Sequence, residues 1–141
     1  MIVRSFRLSD YSEVKQLLAD VLSEQCYEDT MEALANQLSW DSETVMVAEQ
    51  QHSHEVIGVI IGTIDNNNGY FYRIAVRNDH QRKGVGKAMI EALKKRFILR
   101  NVNKIMISVD VHNEAVIPLY QSLGYTANDF LPHKRLRIVG E

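Results

Sequence analysis

Cysteine and proline are almost missing from this chain of 141 residues, which holds one cysteine and two prolines. A lone Cys26 excludes an internal disulfide and fits a reducing compartment. No apolar run approaches the roughly 18 residues of a membrane span. Residues 1–7 carry no apolar stretch that ends in a small-residue cleavage site. A cytoplasmic protein is therefore expected, with no membrane partner. A dominant charge is lacking too: 16 Lys and Arg against 18 Asp and Glu give a net charge of −2. No global field draws the chain to nucleic acid, so an anionic ligand must be held by a local arrangement. No Cys/His cluster has metal-ligand spacing, and no metal is expected.

What is present suits one domain, 1–141, with one core: 45% of residues are apolar and 24% charged. Residues 2–8 alternate as a first strand. Ser9 or Asp10 can cap a helix carrying Val14, Leu17, Leu18, Val21 and Leu22 at helical spacing. Asp29 or Thr30 opens a weaker second helix with Met31, Leu34, Ala35 and Leu38, which ends at residues 40–42. The period then changes to that of strands at 44–49, 55–64 and 70–76. Their short connections, one of them the turn 65–69, predict an antiparallel meander. A long helix follows to about Arg100, then a strand over 104–111 and a helix over 113–123 stopped by Gly124. Residues 136–139 are expected to close the sheet.

Two segments carry the chemistry. The first is Gln81-Arg82-Lys83-Gly84-Val85-Gly86 between a strand and a long helix. Two glycines two apart let the backbone turn tightly and approach a ligand. The helix that begins there has N–H groups without helical partners at the positive end of its dipole. Arg82, Lys83 and Lys87 crowd the same turn. More donors converge than one carboxylate can use, so a diphosphate fits better. Alone, the glycines equally suit a turn into a solvated basic helix. They match neither the dinucleotide fingerprint, since Met89 stands at the third glycine, nor a nucleotide P-loop.

The second segment runs from Asn113 to Tyr125. Asn113 and Tyr120 are seven residues apart and share a helical face. Pro118 should bend the helix or loosen its first turns. Read singly, Asn113 is a helix cap and Tyr120 a core aromatic.

Together the segments resemble the GCN5-related N-acetyltransferase (GNAT) superfamily. Its motif Gln/Arg-x-x-Gly-x-Gly/Ala corresponds to residues 81–86. Its Asn, then Leu-Tyr, then Gly-Phe/Tyr signature corresponds to Asn113, Leu119-Tyr120 and Gly124-Tyr125. The resemblance covers residues 70–125; Val116 departs from a common alanine. It implies an α/β fold: a mixed, mostly antiparallel twisted sheet with helices on both faces, its strands 70–76 and 104–111 parallel and splayed. It implies an enzyme that moves an acetyl group from acetyl-CoA directly to a primary amine. Main-chain groups of Ile74, Ala75 and Val76 would hold the pantetheine arm, with an N–H near Ile74 polarising the thioester carbonyl. The amides of Arg82, Lys83, Gly84, Val85, Gly86 and Lys87 would take the pyrophosphate. Asn113 would contact the cofactor near its thioester end, and Tyr120 would protonate the departing thiolate. A phenol titrates near 10 and a thiol at about 8.5, so that proton lies within easy transfer.

The base is left open among Tyr72, Asp110 and His112; some relatives carry a glutamate where this chain has Ser108. Cys26 lies away from both motifs, which disfavours an acetyl-cysteine relay. His52, His54, His80 and His133 are expected at the surface, His80 with the option of grazing a phosphate. The acceptor is a small amine or a protein amino group. Glu24, Glu28, Asp29 and Glu32 either attract a cation there or form a solvated helix face. The alternative class is a non-catalytic acyl-CoA-binding regulatory domain. A nucleic-acid role for Lys94, Lys95, Arg96, Arg100 and Lys104 is disfavoured by the net charge and by the lack of stacking aromatics. Many relatives dimerise, which is compatible with a homodimer.

Overall fold

The computed structural model describes residues 1–132. The strand expected over 136–139 and His133 lie outside the described residues. In chain order the elements are β1 (Ile2–Ser5), α1 (Tyr11–Val21), α2 (Glu24–Trp40), β2 (Val45–Glu49), β3 (Val56–Asp65), β4 (Asn68–Val76), α3 (Val85–Leu99), β5 (Lys104–Val109), α4 (Ile117–Ser122) and β6 (Phe130–Pro132).

One six-stranded sheet runs in the order β1-β2-β3-β4-β5-β6. The first four strands pair antiparallel, and β5 and β6 join in parallel. The meander exists because its links are tight: Asn66 and Asn67, both at positive φ (52° and 64°), turn β3 into β4. Helices cover both faces. Val45 and Val47 of β2 and Val59 and Ile61 of β3 meet Val14, Leu17, Leu18 and Leu34 of α1 and α2. On the other face Met46, Ala48, Ile57 and Ile60 meet Met89, Ile90, Leu93 and Phe97 of α3, Ile57 reaching it out of step with Val59 and Ile61 through the bulge opposite Ala48 and Glu49. This period-two sorting in the sheet against period 3.6 in the helices is what the sequence pattern requires.

Two expectations are corrected. The second helix starts at Glu24, because the Ser23 hydroxyl caps it by accepting from Cys26 N–H at 3.3 Å; Cys26 therefore lies in its first turn. The helix expected over 113–123 is a 3-10 turn, Glu114–Val116, followed by α4. Pro118 sits in the first turn of α4, where its missing N–H costs nothing. β6, which pairs with β5 from Phe130 to Pro132, had no periodic signal. The glycine stop holds, with Gly124 at φ +98°.

Candidate active site

Pairing between β4 and β5 runs from Asn68–Lys104 only to Phe71–Ile107. Beyond that point the strands form a fork. A bulge helps to open it: the β3–β4 register jumps from Ile61–Arg73 to Gly62–Phe71, which leaves Tyr72 as the extra residue. Tyr72 packs on the α1–α2 face, and Arg73 reaches Thr30 of α2 on the same face.

Alternation fixes which main-chain groups face the gap. Arg77 N–H donates to Ile57 C=O at 2.9 Å, so Arg77 and Ala75 turn their main chains to β3. Ile74 and Val76 then turn theirs into the fork. Ala75, expected to act with them, turns its main chain the other way and meets the cleft only as part of its wall. Gln81 Nε2 donates to the Val76 carbonyl at 3.0 Å.

Asn113 closes the apex of the fork. Its side chain is not the helix cap the sequence suggested: Nδ2 donates to Tyr72 C=O (3.3 Å) and Ser108 C=O (2.8 Å), and Oδ1 accepts from Asp110 N–H (2.8 Å). One buried amide thus satisfies main-chain groups of both diverging strands.

A cleft of about 580 Å³ extends from this apex to the glycine turn. Ile74, Ala75, Val76, Asn113, Arg82, Gly84, Gly86 and Lys87 line it. At the turn Arg82 has φ +62° and Gly84 +84°, both left-handed, so the chain curls before α3 begins. The first main-chain bond into this helix is Ala88 N–H to Gly84 C=O at 3.0 Å, which leaves the N–H groups of Val85, Gly86 and Lys87 without helical partners. A Cβ on Gly86 would stand 3.1 Å from Leu119 Cδ2, so glycine is what lets the start of α3 close against α4. Val85 is buried among the core residues behind the turn, and Lys83 is exposed off the cleft wall.

Tyr120 is buried, with its ring centroid 5.5 Å from Phe71 and 5.9 Å from Tyr125. Val116 and Leu119 form the adjoining wall of the cleft, and Tyr120 stands behind them. Burial pushes its phenol well above the ordinary value.

The far end of the cleft is polar, and the sequence reading did not single out its main member. Arg73, only 2% exposed, donates to Asp110 Oδ2 (2.9 Å) and Oδ1 (3.2 Å), to Thr30 Oγ1 (3.0 Å) and to the Tyr72 hydroxyl (3.4 Å). Burial draws the Asp110 carboxyl upward, but the Arg73 hydrogen bond and charge outweigh it, and the net shift is downward. Asp110 is therefore occupied as an anion. Burial raises the Tyr72 phenol. His112 lines the cleft and meets Asp29 of α2 through Nε2 at 3.1 Å. His80 also lines it and pairs with Asp79 at 3.0 Å, whereas His52 and His54 are exposed. An arginine among strand apolar residues gives no periodic signal, so only its partners reveal it.

A forked sheet whose open end holds unpaired N–H donors defines the acyl-CoA N-acyltransferase fold. The pattern of the Acetyltransferase (GNAT) family matches residues 11–125. An acetyltransferase of Sodalis glossinidius (strain morsitans) is 33% identical over 129 residues, 92% of this chain and 89% of that protein. Ard1 from Thermoplasma volcanium aligns at 23% identity and TM-score 0.71, over 89% of this chain and 82% of that one. The ribosomal-protein-S18-alanine N-acetyltransferase from Escherichia coli aligns at 24% identity and TM-score 0.66, over 89% and 77%. The chain belongs to the Acetyltransferase (GNAT) family and is an N-acetyltransferase. Nothing in these likenesses favours a non-catalytic acyl-CoA-binding domain.

Proposed function

We propose that this enzyme takes the acetyl group of acetyl-CoA and transfers it directly to a primary amine of a small molecule or protein, acting as one domain in the cytoplasm. The observation that carries the reading is the set of unpaired N–H groups at Val85, Gly86 and Lys87, opening on a cleft that leads to the fork. Main-chain amides from Arg82 to Lys87, with the dipole of α3, would take the pyrophosphate, and the side chains of Arg82 and Lys87 add charge. Ile74 and Val76 present main-chain groups in the manner of a neighbouring strand, which suits the amides of a pantetheine arm. The bound thioester supplies the acetyl group. Ile74 N–H would polarise its carbonyl. Asn113 would act from the apex, holding the fork at the width the arm needs.

Tyr120 is the proposed proton donor to the departing sulfur. It stands one layer behind the cleft wall of Val116 and Leu119, so its hydroxyl must reach the sulfur past them. Burial keeps the phenol protonated and also makes it a weaker acid, so the donation relies on the basicity the sulfur gains as it leaves the carbonyl. Cys26 is buried in α2 against Thr30 (3.8 Å) and does not line the cleft, and direct attack by a neutral amine needs no acyl-cysteine step.

The acceptor end is bounded by Val21 and Leu22, between α1 and α2, and by His112. A primary amine of either class suits it. The test is release of coenzyme A from acetyl-CoA with purified protein and a panel holding spermidine, free amino acids, an aminoglycoside and a short peptide with an N-terminal alanine. Turnover with one class names the acceptor. Tight acetyl-CoA binding without turnover on any of them would instead favour a binding domain.

A further inference from the structure

Resting on that reading, we propose that His112 is the general base of the reaction, with Asp29 setting its ring. The acceptor's proton must go somewhere, and the other candidates are engaged. Both Asp110 oxygens accept from Arg73, and Oδ1 also accepts the His112 N–H at 2.8 Å. The Tyr72 phenol is held protonated by burial. His112 stands on the cleft wall beside Asn113, on the β5 side of the fork and towards α1 and α2, where an acceptor would enter.

The Asp29 contact decides what the ring can do. A carboxylate only accepts, so Nε2 carries the proton in the 3.1 Å bond to Asp29 Oδ2. Nδ1 is then the lone-pair nitrogen, and it is the atom that can receive a proton. The carboxylate also stabilises the imidazolium that forms, the same division of labour as in a nucleophile–histidine–carboxylate triad. The charged and titratable groups nearest the ring are Asp29 from α2, which meets Nε2, and Asp110 from its own turn, which accepts the His112 main-chain N–H. Asp110 is itself paired with Arg73 of β4, whose guanidinium also meets the Tyr72 hydroxyl. Asp29 accepts from Gln25 Nε2 at 3.0 Å through its other oxygen and faces the ring with Oδ2.

In the step itself the amine nitrogen bonds to the acetyl carbon and the carbon–sulfur bond breaks. One amine proton passes to His112 Nδ1, directly or over one water. The sulfur takes a proton from the Tyr120 hydroxyl. Exchange with solvent returns the imidazolium and the phenolate to their neutral forms.

The experiment compares wild type with His112→Gln, His112→Ala and Asp29→Asn. Coenzyme A release is followed with spermidine and with the alanine-starting peptide from about pH 5.5 to about pH 9, beside acetyl-CoA binding by calorimetry. The expected result is a fall in kcat of about 10²-fold for both His112 variants. The loss of kcat/KM on the acid side, present in wild type, disappears from them. Acetyl-CoA affinity stays within about twofold, because the removed group does not touch the nucleotide end. Asp29→Asn loses a smaller factor. Retention of the acid-side fall with kcat within about threefold would overturn the base while leaving the transferase reading intact. Loss of acetyl-CoA binding in step with kcat would overturn it too, by making His112 a structural residue. No release by wild type with either amine would remove the underlying reading and the base with it.

Discussion

Arg73 donates to both carboxylate oxygens of Asp110, at 3.2 and 2.9 Å, across the gap where β4 and β5 have stopped pairing. The guanidinium is 2% exposed and the carboxylate 30%. Removing the carboxylate strands a buried cation, whereas removing the cation frees an anion that still reaches water. Asp110→Ala should therefore destabilise by about 3 kcal/mol, and Arg73→Met by less. Asp110→Ala in the Arg73→Met background should cost little more. Urea unfolding of the three variants checks the asymmetry; equal losses would show that the pair is not what holds the guanidinium.

Acid should weaken the fold through two carboxylates. Hydrogen bonding from Arg4 holds the Asp10 carboxyl below its usual value against the opposing effect of burial, and Asp110 lies below its usual value as well. A depressed folded-state value means stability that is full above the unfolded carboxylate value of about 4 and is lost as pH falls through the folded one. The urea midpoint should be flat above about pH 5 and fall below about pH 4. Asp10→Asn keeps one oxygen that can accept from Arg7 N–H but loses the charge and one acceptor facing Arg4, so it should start lower and fall less steeply.

At the turn, the two glycines should fail for different reasons. A Cβ on Gly84 meets nothing within 4 Å, but its φ of +84° strains any other residue. Gly84→Ala should cost about 1–2 kcal/mol and weaken acetyl-CoA binding as the curl relaxes. Gly86→Ala carries no such backbone penalty but pushes on Leu119 at 3.1 Å, so it should disturb the contact between α3 and α4 and raise KM for acetyl-CoA. Thermal melts beside calorimetric titration separate the two.

Tyr120→Phe keeps the ring that packs on Phe71 and Tyr125 and removes only the hydroxyl. Turnover should drop about 10²-fold with acetyl-CoA affinity nearly intact. Unchanged kcat would dismiss the acid role.

Much of this was legible before any coordinates. The meander follows from alternating apolar residues and an asparagine-rich turn, and the tight turn with its partnerless N–H groups from Gly84 and Gly86 ahead of a helix. The apex was only half legible. Asn113 could be marked as important, yet its role depends on three main-chain groups that residues 72, 108 and 110 bring together only in the folded chain. Arg73 left no trace, because a strand position says nothing about a bulge beside it. Ser23 gives no clear cap signal because the apolar stripe of α2 is weak, and β6 gives none because three residues are too few to show a period.

The sheet is also a partition. Side chains of α1 and α2 meet one face and those of α3 and α4 the other, with the strand residues sorted alternately between them. The turn that precedes α3 and the α1–α2 junction beside His112 consequently rest on different cores. Mutations that reshape the junction leave the opposite core in place, so one end of the cleft can change without disturbing the turn at the other.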